Sequence, residues 1–316
     1  VLLVIFNEIF VDNKTFGSSD NLSPKAVGLA LNEVMEKEGG YAQWQPWVFS
    51  GMPTAEAFTN ISQLYFPEYL FKIFSVPGMF IQISHFLFCG IGMVLLLRYL
   101  GCTYWSSLLG SISFMITPYM VTMLVFGHGS QIMTAAYIPW IVMFAIKLWN
   151  DPKILNIGIL SLLLGFQLQR SHVQIAYYTW LLIGAFFFFK IINIVYKSKK
   201  LNSAVLRKLA FFAVACILGL AISFVIYLPS IEYSDFSIRG ASSSGGAKYN
   251  YATSWSFHPK EILTFLLPSA FGFGGQAYWG YMPFTDYPNY MGIILLLLAL
   301  IATLQKKNFL QWYLIL

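Results

Sequence analysis

The chain has 316 residues, of which 58% are hydrophobic, 18% aromatic and only 10% charged, and its mean hydropathy is +0.66. An ordinary soluble domain carries about 25% charged residues, so this composition excludes one, along with a disordered chain and a disulfide-stapled secreted module. The net charge of +6 resides in basic residues placed between apolar runs rather than on one polar face, which excludes a nucleic-acid binder.

Eight apolar stretches recur, near 1–11, 79–98, 104–125, 131–149, 154–169, 173–195, 209–229 and 290–304. Uncharged runs of about 20 residues suit helices that cross a bilayer. The expected fold class is therefore an all-α polytopic membrane protein. The first stretch starts without Met and is too short to cross alone, and the last residues are again apolar. The expectation is that 1–316 is a fragment of one transmembrane domain with its downstream part missing. Cys89, Cys102 and Cys216 have no partner at metal-ligand spacing and read as small packing residues.

If the stretches alternate, one side of the membrane receives eleven of the 19 basic residues and a single acid, Asp151; the other receives eight basic residues and up to twelve acids. That asymmetry makes the first side cytoplasmic. It leaves two long external loops, 12–78 and 230–289, and loops of that length are usually functional. The expected location is a bacterial cytoplasmic (inner) membrane, with the active face external.

In the first loop, Ser23 and Pro24 predict the start of a helix that ends at Gly39-Gly40, with Val27, Leu31, Val34 and Met35 on one face. The stretch Leu64 to Val76 suits a second interfacial helix. Between them lies a segment dense in Trp, Pro and Gly. Near Gln169 to His172 two apolar stretches meet in a tight junction. In the second loop, 240–247 is rich in Ser and Gly and reads as mobile.

Several residues are candidates for chemistry. Asp20 follows the first stretch on the external side, where a carboxylate is placed to take a proton from an attacking hydroxyl; a solvated or helix-capping aspartate is the competing reading. His85 falls inside a membrane stretch and reads as a packing or hydrogen-bonding residue. His128, His172 and His258 map to the external face without the spacing of a zinc site, so no cofactor is expected and a divalent metal is not supported. Gln167, Gln169, Arg170, His172 and Gln174 are expensive near membrane depth unless they face a cavity or a partner. Arg170 suits a phosphate through its bidentate fork, and snorkelling to the headgroups competes equally. Trp44, Trp47, Trp255 and Trp279 suit stacking on a sugar, though packing is commoner.

Together, the external acid, Trp44-Gln-Pro-Trp47, Phe49-Ser-Gly-Met-Pro-Thr54, His172-Val-Gln-Ile-Ala-Tyr-Tyr178, Trp255-Ser-Phe-His-Pro259, Leu267-Pro268 and Tyr278-Trp279-Gly280 resemble the YfhO-like bacterial membrane proteins. That family is regarded as GT-C type glycosyltransferases. The resemblance implies a GT-C-like transmembrane helix bundle whose two long external loops carry short interfacial helices. It also implies a catalytic acid in the first external loop, a place taken by Asp20, with Glu56 and Glu68 as alternatives in the same loop. The second adjacent acid of many such enzymes is absent, since Asn21 and Leu22 follow. The implied reaction moves a sugar, with inversion, from a polyprenyl-phosphate donor to a glycan, teichoic-acid-like or lipid acceptor of the cell envelope. Arg170, His172 and Arg239, then Lys248 and Lys260, are candidates to hold the departing phosphate, and His258, Trp44 and Trp255 complete the expected substrate-binding set. The alternative is a lipid-linked glycan flippase or transporter, which predicts polar residues through several helix centres.

Overall fold

A computed structural model describes residues 1–12, 14–58, 61–200, 202–236 and 249–304. Two short helices, α1 (Leu2–Ile5) and α2 (Asn7–Asp12), lead to α3 (Ser19–Glu38). The strands β1 (Trp44–Gln45) and β2 (Met52–Pro53) form an antiparallel hairpin, a 3-10 turn covers Ile61–Leu64, and α4 spans Glu68–Ile73. Then follow α5 (Gly78–Tyr99), α6 (Tyr104–Met115), α7 (Pro118–Val125), α8 (Gly129–Ala135) and α9 (Ile138–Asn150). After them come α10 (Ile154–Gln169), α11 (Val173–Ser198), α12 (Ser203–Ser234), α13 (Tyr249–Thr253) and α14 (Ile293–Leu304), with 3-10 segments at Pro259–Phe265 and Gly275–Ala277.

The chain is mostly helical. Among the described residues five helical stretches are long and apolar enough to cross a membrane: Gly78–Tyr99, Tyr104–Val125, Gly129–Asn150, Val173–Ser198 and Ser203–Ser234. The remaining apolar stretches form shorter helices: 154–169 gives α10, with 16 residues, and 290–304 gives α14, with 12. Two of the five stretches are broken by proline. Pro118 opens α7 after α6 ends, and Pro139 lies in the first turn of α9 after α8 ends. Proline has no N–H to give the preceding turn, so it is accepted at a helix start and weakens a helix elsewhere.

The helix expected to begin at Ser23-Pro24 begins one turn earlier, at Ser19, with Pro24 inside it. Its end falls where expected, at Gly39, whose φ of 73° is the left-handed conformation that glycine adopts at little cost. The earlier start has a tertiary cause. The Asn21 amide donates to the Val125 carbonyl at 3.0 Å, and the Asp20 backbone lies directly against Gly127. Docking on the end of α7 thus orders the first turn of α3.

Gly129–Asn150 is the central stretch, with 78% of its most apolar window buried against 22% for Val173–Ser198 and for Ser203–Ser234. One core gathers Ile141, Leu148, Leu160, Leu164, Ile183 and Phe187 around α9, α10 and α11. A second gathers Phe6, Phe86, Met123, Leu124 and Ile132 around α5, α7 and α8. The pair α10 and α12 packs closest through small residues. A Cβ on Gly165 would lie 2.6 Å from Ile222 Cβ, and one on Gly219 would lie 2.8 Å from Leu164 Cβ. Between membrane helices, such close approach supplies dispersion contact where the hydrophobic effect cannot.

Candidate functional site

The short helix α4 places the first component. Phe66, Tyr69, Leu70, Ile73 and Phe74 are all exposed, at the helical spacing i, i+3, i+4, i+7, i+8. Glu68 falls on the opposite side of that stripe, and its side chain is only 13% exposed. An apolar face turned outward with a carboxylate turned inward inverts the pattern of a soluble protein.

The second component is the turn joining α10 to α11. Arg170 caps α10, Ser171 adopts φ 59°, and His172 caps α11 by accepting the Ile175 N–H at its Nδ1. This reversal directs Arg170 inward, where its side chain is 6% exposed. Its Nη1 lies 3.9 Å from Glu68 Oε2, and its guanidinium sits 4.5 Å over the Tyr65 ring. The ion pair is too long for a hydrogen bond, and both Nε and Nη1 of Arg170 are buried without a hydrogen-bond partner among the described residues. That burial is at odds with snorkelling to the headgroups.

Beneath the cation runs a hydrogen-bonded chain. Tyr65 Oη bonds to both Tyr137 Oη and His85 Nε2, the latter at 2.9 Å, and His85 Nδ1 lies 2.7 Å from the Ile81 carbonyl. That carbonyl only accepts, so the proton of His85 belongs on Nδ1, and Tyr65 donates to Nε2. Gln169 ties the elements together. Its Oε1 accepts the Phe66 N–H at 3.1 Å and its Nε2 donates to the Ile222 carbonyl of α12 at 2.9 Å. Gln167 donates to the Thr134 carbonyl and to Thr179 Oγ1.

Burial raises the Glu68 carboxyl above its ordinary range, and the positive charges of Arg170 and Lys72 reverse this only in part. Burial also pushes the Tyr65 hydroxyl up to about 12. Burial lowers the His172 imidazole, helped by the neighbouring charge of His128. A carboxylate and a guanidinium held apart in a poorly solvated place are a costly arrangement unless something else is bound there.

The other sequence-derived candidates make local contacts of their own. Asp20 is exposed in the first turn of α3, its carboxylate 3.3 Å from Ser19 Oγ. Trp44 is exposed and its indole lies across Gly51. Trp255 is exposed and meets Phe284 edge to face. His258 stacks on Tyr281 at 3.9 Å, with Lys260 5.5 Å from the same ring. Arg239, Lys248 and the Ser/Gly stretch 240–247 lie outside the described residues. Among the described residues no three His, Cys, Asp or Glu side chains converge as a metal site.

Sequence reasoning passed over Tyr65 and Tyr137 and ranked Glu68 behind Asp20. The signal for Glu68 was available, since the apolar spacing from Phe66 to Phe74 puts it on the opposite face. Nothing local marks Tyr65 or Tyr137, because their partners lie 72 residues apart. Compared with known proteins, the chain matches no family model, no curated protein and no solved structure.

Proposed function

We propose that the chain belongs to a membrane glycosyltransferase that takes a sugar from a polyprenyl-phosphate donor on the external face of a bacterial cytoplasmic membrane and passes it to a cell-envelope acceptor. The observation that carries the reading is Arg170, a buried cation with two guanidinium nitrogens unpartnered among the described residues, beside a carboxylate at the ends of apolar helices. An anionic phosphate satisfies those groups, and its lipid tail has bilayer beside it.

In this reading Arg170 holds the phosphate and Glu68 is the base, ahead of the exposed Asp20. The acceptor oxygen bonds to the anomeric carbon as the bond from that carbon to the phosphate oxygen breaks. The acceptor proton passes to Glu68 and the electron pair leaves with polyprenyl phosphate, inverting the centre. The raised proton affinity of Glu68 makes it a stronger base than an ordinary carboxylate. A transport path finds less support. Buried Ser107, Ser161 and Ser223 bond carbonyls of their own helices, and Ser111 bonds that of Gly90, so these hydroxyls line no polar route.

The test is sugar transfer from a polyprenyl-phosphate donor in proteoliposomes. Arg170→Gln and Glu68→Gln each lose about 100-fold or more in rate, while Asp20→Asn retains activity. Full activity in Arg170→Gln overturns the reading. Loss in Asp20→Asn with full activity in Glu68→Gln moves the base to Asp20.

A further inference from the structure

The segment Pro259–Phe265 and the two residues after it are built inside out. A 3-10 helix has three residues per turn, so positions three apart eclipse one another. Glu261 and Thr264 are such a pair, and they are the buried ones, at 1% and 4% exposure. Thr264 Oγ1 donates to the Glu261 carbonyl. The Glu261 carboxylate accepts the Tyr278 hydroxyl and the Tyr281 N–H, both at 2.7 Å. The polar groups thus face the protein. Ile262 and Leu263 lie to either side of that pair, and together with Leu266 and Leu267, just past the helix, all four are exposed.

In water this arrangement has the wrong sign: four large aliphatic side chains are hydrated while a carboxylate and a hydroxyl take the interior. Against hydrocarbon the sign is right, because the outward face needs no hydrogen bonds and every inward polar group has one. Two further observations select lipid as the covering. The segment is tethered between α12, whose last turns expose Leu228 and Ile231, and α14, whose first turn exposes Ile293 and Ile294. At the edge of the aliphatic face stands exposed Lys260, its ammonium near the Tyr281 ring, a cation and an aromatic suited to phosphate headgroups.

We infer that Ile262, Leu263, Leu266 and Leu267 insert into the acyl region of the adjoining lipid leaflet, with Lys260 at its headgroups, so that this loop is a membrane-seated element. The inference stands apart from the glycosyltransferase reading, since it needs no activity.

The experiment places a nitroxide label at Ile262→Cys, and separately at Leu267→Cys, in the cysteine-substituted chain reconstituted into phosphatidylcholine–phosphatidylglycerol liposomes. Collision with oxygen, which concentrates in lipid, is compared with collision with a water-soluble nickel chelate. Gln276→Cys, at an exposed polar position, is the aqueous control. The expected result is that oxygen collisions exceed nickel collisions several-fold at both aliphatic sites and that the ratio reverses at the control. Nickel collisions equal to the control overturn the inference in favour of water. Low collision with both reagents overturns it in favour of a polypeptide cover, from a second copy or another part of the protein. Leu263→Cys supplies the reading if either variant fails to reconstitute.

Discussion

Arg170 and Glu68 face each other across 3.9 Å where α4 meets the turn between α10 and α11, and neither side chain has much contact with water. The separation is the informative feature. A structural ion pair recovers its desolvation cost through short, bidentate hydrogen bonds. Here two guanidinium nitrogens have no hydrogen-bond partner among the described residues, and the carboxyl binds its proton more tightly than an ordinary glutamate does.

The first prediction concerns pH. Because burial raises the folded-state affinity of Glu68 for its proton, its favourable contribution is complete below the ordinary carboxylate range and is lost as pH rises through the raised value. Glu68→Gln removes that dependence. The variant matches the parent in thermal stability in acid and exceeds it at neutral pH, as read by unfolding in detergent at several pH values. A variant less stable than the parent at neutral pH would show that the ion pair outweighs its desolvation.

The second concerns Tyr65. Replacing it with Phe keeps the ring beneath Arg170 but strips His85 Nε2 and Tyr137 Oη of their partner. A buried polar group left unsatisfied costs about 1–3 kcal/mol, so Tyr65→Phe lowers thermal stability by that order. Tyr65→Leu also removes the cation–π contact and falls further. Equal stability of Tyr65→Phe and the parent would mean that the hydroxyl chain contributes nothing to the fold.

The third concerns helix packing. At Gly165 an added Cβ meets Ile222, whereas at Gly158, on the same helix, it meets none of the described residues within 4 Å. Overpacking a tight interface costs about 1–3 kcal/mol, so Gly165→Ala destabilises and Gly158→Ala does not. Thermal unfolding of the two variants side by side decides it.

Much of this protein is legible before folding. Uncharged runs as long as a bilayer is thick have one stable backbone solution in lipid, the helix, so the locations of the apolar helices follow from local composition. The same holds for Gly39 as the end of α3, and for α4, where the spacing of Phe66, Tyr69, Leu70, Ile73 and Phe74 assigns Glu68 its side. Local signals went astray at Ser23-Pro24, because contact with Gly127 and Val125, a hundred residues away, extends α3 backward by a turn. The site belongs to that second kind of information. Arg170 is equally at home snorkelling or buried as far as its neighbours in sequence are concerned. Only the positive-φ turn at Ser171, with Gln169 bonded to Phe66 and Ile222, carries it inward beside Glu68 and over Tyr65. Helix formation in lipid is driven by hydrogen bonds within one segment and is therefore written locally. Pairing of buried polar groups depends on which segments pack together, and that is decided only when the whole bundle assembles.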